Sequence, residues 1–328
     1  MSLINKIRGL RIRENRSFIF DNPINPLRYG IRYLRNQIEG AYYKLQMNRV
    51  CPKNIPEKKY RVSICAIFKN EAYYLKEWIE YHKLVGVEQF YLYNNFSSDD
   101  YEKVLAPYVE SGLVTLIQWP VPQGQMAAYK DCVDRFACDT KWIAFIDLDE
   151  FIVPNTCEDI YSFLAPFEKN RPLVMAYWKN FGSGGKLDRD LNGLVTEDFI
   201  VSWAKHTNLG KLFYNTAYDY ADDLPQNRYM HYRWGRLNGT SLPPVNIFDK
   251  VCTRGINPAS NKEFPLQINH YMLKSYREYF GIKKMRGDAV FANSNHDDEY
   301  FAFHDSFSQA TDYHIFKYLI GLKRGMQS

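Results

Sequence analysis

Residues 61–95 read RVSICAIFKNEAYYLKEWIEYHKLVGVEQFYLYNN. The opening RVSICAIF is a short β-rich apolar run, and after it Leu75, Trp78, Ile79 and His82 trace one helical face that ends near Gly86. EQFYLYNN is a second strand run. Downstream the pattern repeats. SSDDYEKVLAPYV is a helix that Ser98 or Asp99 can cap, with Pro107 interrupting its continuation, and GLVTLIQW is a third strand. A polar loop to Gln125 then leads into the helical stretch MAAYKDCVDRFA, and KWIAFIDLDEFIVP is the fourth unit. Strands alternating with helices of this length predict right-handed crossovers and an α/β fold whose sheet is mainly parallel and flanked by helices. Ligands in such sheets sit beyond the carboxyl ends of the strands. The residues that follow each strand are therefore the candidates: Lys69, Asn70 and Glu71; Asn94 and Asn95; Gln125; and Asp147, Asp149 and Glu150.

The fourth unit places three carboxylates in four positions directly after an apolar run. In an extended chain Asp147 and Asp149 point to the same side, about 6 to 7 Å apart, so both can face one divalent ion. Mutual repulsion in such a cluster calls for a cation, and hard oxygen ligands favour Mg²⁺ or Mn²⁺. The alternative is an acidic turn that caps the next element. Position at the end of a βα unit favours the ligand reading.

Phe68-Lys69-Asn70-Glu71, Glu77 to His82, Gly86-Val87, Phe90 to Asn95, Ser98-Asp99, Gln125, Ala128-Tyr129, Asp131-Cys132 and Trp142 to Phe151 together resemble glycosyltransferase family 92 and, more broadly, family 2-like glycosyltransferases. The resemblance continues through Phe181 to Gly185, Asn269-His270-Tyr271, Lys274-Ser275 and EYFGIKKMRG, so it spans about residues 61–287. It implies a GT-A fold, a nucleotide-sugar donor taken as UDP-linked, a divalent metal held by the D-x-D motif, and inversion at the anomeric carbon. It departs at Asn94, where the family's segment carries an aspartate. On this resemblance Asp147, Asp149 and His270 are the metal ligands, with His231 competing for the histidine role.

Cations near a departing diphosphate offset its charge, which suits Lys274; Lys283, Lys284 and Arg286 read as a solvated helix face. The nucleoside is expected over the first two strands, at Ile67, Lys69, Asn70, Glu71 and Asn94 or Asn95, with Gln125 and Tyr129 closing from the third unit. Trp78 and His82 belong to the core. An inverting displacement needs a base, and Glu197 or Asp198 in GLVTEDF supplies it, with Glu150 as rival.

Residues 1–59 read as a basic helical arm and linker, and 60–328 as the catalytic domain, with a nucleotide-sugar half at 60–155 and an aromatic-rich acceptor half at 156–328. Residues 1–61 hold 14 Lys+Arg against 4 Asp+Glu, whereas the rest of the chain is net acidic. Leu27, Ile31, Leu34, Ile38 and Tyr42 recur at helical spacing, displaced from Arg28, Arg32 and Arg35. Such a segment either lies on an anionic membrane surface or docks on the domain. Nucleic acid is disfavoured because the remaining chain would repel phosphates. CPKNIPEKK, residues 51–59, is the linker.

MAYWKNFGSGG and RYMHYRWGR provide rings to cover sugar faces, or an ordinary aromatic core. In the tail, His296, Asp297, Asp298, His304, Asp305 and Asp312 read as scattered charges on an amphipathic helix carrying Tyr313, Phe316, Leu319 and Ile320, in preference to a second metal site.

With 46% apolar and 24% charged residues the chain is neither collagen-like nor disordered. It shows no membrane-spanning run and no secretory signal. Six scattered cysteines without C-x-x-C pairing point to a reducing compartment and free thiols. The expected function is transfer of a sugar from a nucleotide donor to a glycan or glycolipid acceptor in surface-polysaccharide or glycoconjugate synthesis, in the cytoplasm or at the inner membrane face. The rivals are a metal-dependent nucleotidyltransferase and a non-catalytic carbohydrate-binding protein on the same fold.

Overall fold

The computed structural model describes residues 26–207, 209–221, 223, 231–253, 263–287 and 297–327, with side chains from residue 34 onward. Helix α1 (Pro26–Arg49) precedes a regular alternation: β1 (Tyr60–Phe68), α2 (Ala72–Leu84), β2 (Gln89–Asn94), α3 (Tyr101–Glu110), β3 (Val114–Gln118), α4 (Gln125–Phe136) and β4 (Thr140–Phe145). β1 pairs in parallel with β2 on one side and β4 on the other. Its residues 62–68 are buried on both faces, which is why that strand reads as one apolar run. The expected cap of α3 shifts by one residue: Asp100 stands at its start without a side-chain bond. Asp99 is drawn away because its Oδ2 accepts the Ala72 N–H at 2.8 Å, tying the start of α3 to that of α2. Pro107 lies inside α3, where it leaves one helical carbonyl without its usual donor.

The fourth unit differs from a single extended strand. β4 stops at Phe145, a turn closed by Glu150 N–H donating to Asp147 O (3.1 Å) follows, and β5 (Glu150–Pro154) starts afresh. The same-side geometry that an extended D-x-D predicts therefore does not form. Next come β6 (Leu173–Asn180), β7 (Val201–Trp203), β8 (Gly210–Asn215), β9 (Asp219–Tyr220), β10 (Gly235–Leu237), β11 (Thr240–Leu242), β12 (Val245–Asn246), β13 (Leu266–His270) and β14 (Ser308–Thr311). The main sheet has the order β3-β2-β1-β4-β8-β6-β13-β5, with β12 beside β6. It is mostly parallel, with antiparallel contacts at β4/β8, β8/β6 and β13/β5. It continues without interruption across residue 155.

β5 ends this sheet, so its outer backbone groups need partners from elsewhere. Helix α2 supplies them: Trp78 Nε1 donates to Glu150 O at 2.9 Å and Tyr81 Oη to Ile152 O at 3.0 Å. Ile152 N–H donates to His82 Nε2 at 3.2 Å. The α/β layer thus curls until its last strand meets the first crossover helix. Trp78 and His82 are both fully buried, as the helical face predicts. Accepting at Nε2 leaves Nδ1 as the donor to Trp78 O (2.8 Å), so the imidazole is neutral. Burial lowers its pKa to about 3.

The unfolded chain binds that proton near pH 6.5 and the folded chain does not, so stability is full above 6.5 and falls as the pH drops towards 3. Between pH 7 and pH 5 His82 is expected to remove about 2 kcal/mol of stability. Urea unfolding of the native chain and of His82→Gln at both pH values checks this: the variant should show a smaller drop by that amount, and parallel drops would refute it.

The aromatic segments are largely core. Tyr177, Phe181, Tyr232 and Trp234 are buried, and Trp178 is the half-buried ring among them. In the tail, Asp297 caps the helix Asp298–Asp305, Asp305 accepts from Ser183 N–H (2.7 Å) and Oγ (2.8 Å), and Asp312 pairs with His314. The amphipathic helix begins only at Leu319, after the 3₁₀ turn His314–Tyr318, and Tyr313 and Ile320 stay exposed. His296 and residues 1–25 of the arm lie outside the described residues. All six cysteines are free.

Candidate functional site

The turn between β4 and β5 brings Asp147, Asp149 and Glu150 to the carboxyl end of the parallel strands. β13 runs antiparallel to β5 in a register that sets His270 directly opposite Glu150. Tyr271 N–H donates to Asp149 O (2.8 Å), locking the turn to the strand that carries the histidine. From the other side β8 inserts Lys211. Gly210, just before it, lies so close to Ala176 of β6 that a Cβ would collide with the Ala176 carbonyl, so only glycine lets β8 approach.

Each carboxylate has its own neighbours. Asp147 Oδ2 meets Lys211 Nζ at 2.6 Å, and its Oδ1 accepts from Gln125 Nε2 (2.8 Å) and Tyr129 Oη (3.4 Å). Glu150 Oε2 accepts Asp147 N–H at 3.2 Å and lies 3.4 Å from Lys211 Nζ. Asp149 Oδ2 pairs with Lys283 Nζ at 2.8 Å, and its Oδ1 lies 3.6 Å from His270 Nε2. Lys283 also donates to Met272 O (2.7 Å). The repulsion expected in an acidic cluster is therefore met within the protein by two ammonium groups.

Burial sets the protonation states. It would raise the Asp149 pKa, but Lys283, His270 and Lys274 overcome it and hold this carboxylate far below its ordinary value. Glu150 goes the other way: burial pushes it well above the usual range although Lys211 opposes. Burial lowers His270 to about 3 against the pull of Asp149, so the imidazole beside that carboxylate is neutral. Burial would likewise lower Lys211, yet Asp147 and Glu150 keep it an ammonium. Lys274 falls to about 8, again through burial, with Asp149 opposing.

Asp149, Glu150 and His270 offer ligand atoms that lie within 4.8 Å of one another, all buried. Glu150 Oε1 and His270 Nδ1 are buried without a hydrogen-bond partner. Two carboxylate oxygens and a neutral imidazole suit a divalent Mn²⁺ or Mg²⁺, so the residues fit such an ion. Of the expected ligands Asp147, Asp149 and His270, the structure gathers the last two. Glu150 stands with them in this group, while Asp147 lies beside it, its side chain 35% exposed and paired with Lys211. His231, the competing histidine, bonds through Nδ1 to Gly210 O (2.9 Å) and packs edge-on to Trp178, which tilts over His270 at 4.5 Å.

Around this centre, Lys274 is 6% exposed, at φ 58°, with its ammonium 4.3 Å over the Tyr74 ring. A lysine held in the left-handed region stores backbone strain next to the acidic turn. Tyr74 Oη donates to Glu278 Oε1 (3.0 Å), which also takes Arg189 Nε (2.9 Å), and Arg189 reaches Asp198 at 3.4 Å. Lys283 and Arg286, expected in solvent, are instead drawn inward. Arg286 pairs with buried Glu71, and Lys283 sits in the π-helical turn Tyr279–Lys283.

The amides expected at the nucleoside are used in closing loops. Asn70 Oδ1 accepts Ser98 N–H, Asn94 joins Gln118 and Ser97, and Asn95 Nδ2 donates to the carbonyls of Trp119 and Val121. Ile67 is buried within β1, and Lys69 follows that strand half-buried. Glu197 pairs with Lys323 on the helix Leu319–Gln327, and Asp198 with Lys186 and Arg189. Lys211, which bridges two of the acidic residues, had no local signal: it is one lysine in the strand GKLFYN.

Residues 58–186 match the family model described as glycosyltransferase family 92. A glycosyltransferase family 92 protein of Ricinus communis is 34% identical over 96 residues, which cover 29% of this chain and 17% of that protein. A beta-1,4-galactosyltransferase of Caenorhabditis elegans is 34% identical over 126 residues, covering 34% of this chain and 29% of its own. The chain thus spans less than a third of the length of either relative. Among solved structures, S. aureus TarS 1–349 in complex with UDP aligns at TM-score 0.34 and 14% identity over 48% of this chain and 47% of that one. The likeness to glycosyltransferase family 92 is thus carried by residues 58–186.

Proposed function

We propose that this chain moves a sugar from a UDP-linked donor to a hydroxyl of a glycan or glycolipid, with inversion, using a divalent metal, in polysaccharide or glycoconjugate synthesis. The observation that carries the reading is the buried Asp149–Glu150–His270 group at the carboxyl end of the parallel strands, part of it inside the family-matched segment. Asp149, Glu150 and His270 would hold Mn²⁺ or Mg²⁺, which when bound supplies Lewis-acid stabilisation to the leaving diphosphate. Asp147, the more open carboxylate, orients Gln125 and Tyr129 towards the donor side. Lys274, ammonium for most of its population at neutral pH, places positive charge where the departing phosphate gathers negative charge.

The acceptor oxygen forms a bond to the anomeric carbon as the bond to the diphosphate breaks, and the hydroxyl proton passes to a carboxylate. Glu150 stands among the metal donors and Glu197 points to Lys323. Asp198 is linked through Arg189 and Glu278 to Ser275 beside Lys274, so we assign the proton to Asp198.

Thermal unfolding of the full chain with UDP and UDP-sugars, with Mn²⁺ or with chelator, tests this. Ligands that bind only the folded state raise its stability by mass action. UDP with Mn²⁺ should raise the midpoint, and turnover should release UDP. Release of pyrophosphate would assign a nucleotidyltransferase instead, and absence of donor turnover with Mn²⁺ a carbohydrate-binding protein.

A further inference from the structure

Helix α1 has two unlike long faces. On one, Met47 is fully buried, Tyr43 meets Trp234 edge-on at 5.3 Å, Glu39 accepts from Thr253 Oγ1 at 2.8 Å, and Lys44 pairs with Asp249 at 2.7 Å. These contacts fasten the helix to the domain. On the other, Leu34, Ile38, Tyr42 and Leu45 stand 60%, 63%, 54% and 56% exposed. At 3.6 residues per turn these four fall within an arc of about 80°, turned roughly 140° to 180° from Tyr43 and Met47. Single exposed leucines are ordinary, but an unbroken row of large apolar side chains over three turns marks a contact surface.

Docking on the domain and presenting a free apolar face are thus both true of this helix. Charge selects what covers the free face. Residues 26–49, the helix itself, carry 5 Lys+Arg against 1 Asp+Glu. A second copy packed on this helix would bring the same excess and repel it, whereas an anionic surface is attracted. The helix is 24 residues long, and among the described residues no helix is long and apolar enough to cross a membrane. We propose that α1 lies flat on an anionic lipid bilayer, with Leu34, Ile38, Tyr42 and Leu45 inserted among the headgroups and the domain held on the opposite face of the helix. This surface is independent of the reaction the domain performs.

Co-sedimentation of the full chain with phosphatidylcholine vesicles containing about 30 mol% phosphatidylglycerol, against phosphatidylcholine alone, tests the proposal. The native chain should partition onto the anionic vesicles and be released by salt. The combined variant Leu34→Gln, Ile38→Gln, Tyr42→Gln, Leu45→Gln should partition about tenfold less or worse, with unchanged circular dichroism and urea midpoint. As a second measurement, Ile38→Trp should show a blue-shifted emission on anionic vesicles only. Equal partition of native and glutamine variant, equal binding to both vesicle types, or an unshifted tryptophan would overturn it. So would a native dimer at micromolar concentration that the glutamine variant dissolves, since that puts a second copy on the row.

Discussion

Asp149→Asn is expected to lower kcat/KM for sugar transfer by roughly 10² to 10³, the usual cost of removing one group that stabilises developing charge in a closed site. The side chain keeps its size, and Tyr271 still bonds to the backbone carbonyl at 149, so the turn should persist. What disappears is the negative charge that Lys283, His270 and Lys274 all face. The Mn²⁺-dependent rise in unfolding midpoint should vanish with the activity. Lys283→Met is the informative companion: it frees Asp149 Oδ2 from its ammonium without touching a metal donor, so half-saturation should come at lower Mn²⁺. Initial rates of UDP release across a Mn²⁺ titration check both. Unchanged kcat/KM in Asp149→Asn would remove this carboxylate from the chemistry.

The parts of this site that the sequence revealed share one property: their signal is local. β1, α2, β2 and the strand-end residues follow from periods of two and of three to four within short windows, so the polar groups at the carboxyl ends could be nominated before any packing was known. Where the windows failed, the deciding partner is distant. KWIAFIDLDEFIVP is apolar on both sides of its acids, and nothing in it says that one strand ends at Phe145 and the next starts at Glu150 on the far edge of the sheet. That break is held by Trp78, Tyr81 and His82, about 70 residues upstream, whose helical spacing shows burial but not its object.

The same limit explains the cations. Lys211 lies 64 residues from Asp147, and Lys283 lies 134 residues from Asp149. Runs such as IKKMR read as a solvated face until the π-helical turn rotates one lysine inward. Asn94 and Asn95 show a further limit: an amide at a strand end can bind a ligand or close a loop with equal chemistry, and its local sequence does not foretell the loop bonds these two make.

Lys211→Met is expected to destabilise the fold by about 3 to 5 kcal/mol, the range for removing one partner of a buried ion pair. The ammonium is 1% exposed and touches Asp147 at 2.6 Å and Glu150 at 3.4 Å. Asp147 can turn to water for part of its solvation, but Glu150 is fully buried, so the loss falls mainly on Glu150. That carboxyl is already held well above its ordinary value by burial, and without Lys211 opposing it rises further.

A carboxyl whose folded pKa exceeds the unfolded one binds extra protons when folded, so its contribution to stability falls as the pH rises from the unfolded value through the folded one. The loss relative to the native chain should therefore be smaller at pH 5 than at pH 8. Adding Glu150→Gln removes the stranded charge while keeping an acceptor for Asp147 N–H, and should recover at least half of the lost stability. Urea unfolding of the native chain, the single variants and the pair at both pH values measures the coupling directly. A loss independent of pH and unrelieved by Glu150→Gln would mean that Lys211 acts through packing against Trp178 and not as the counter-charge of the acidic turn.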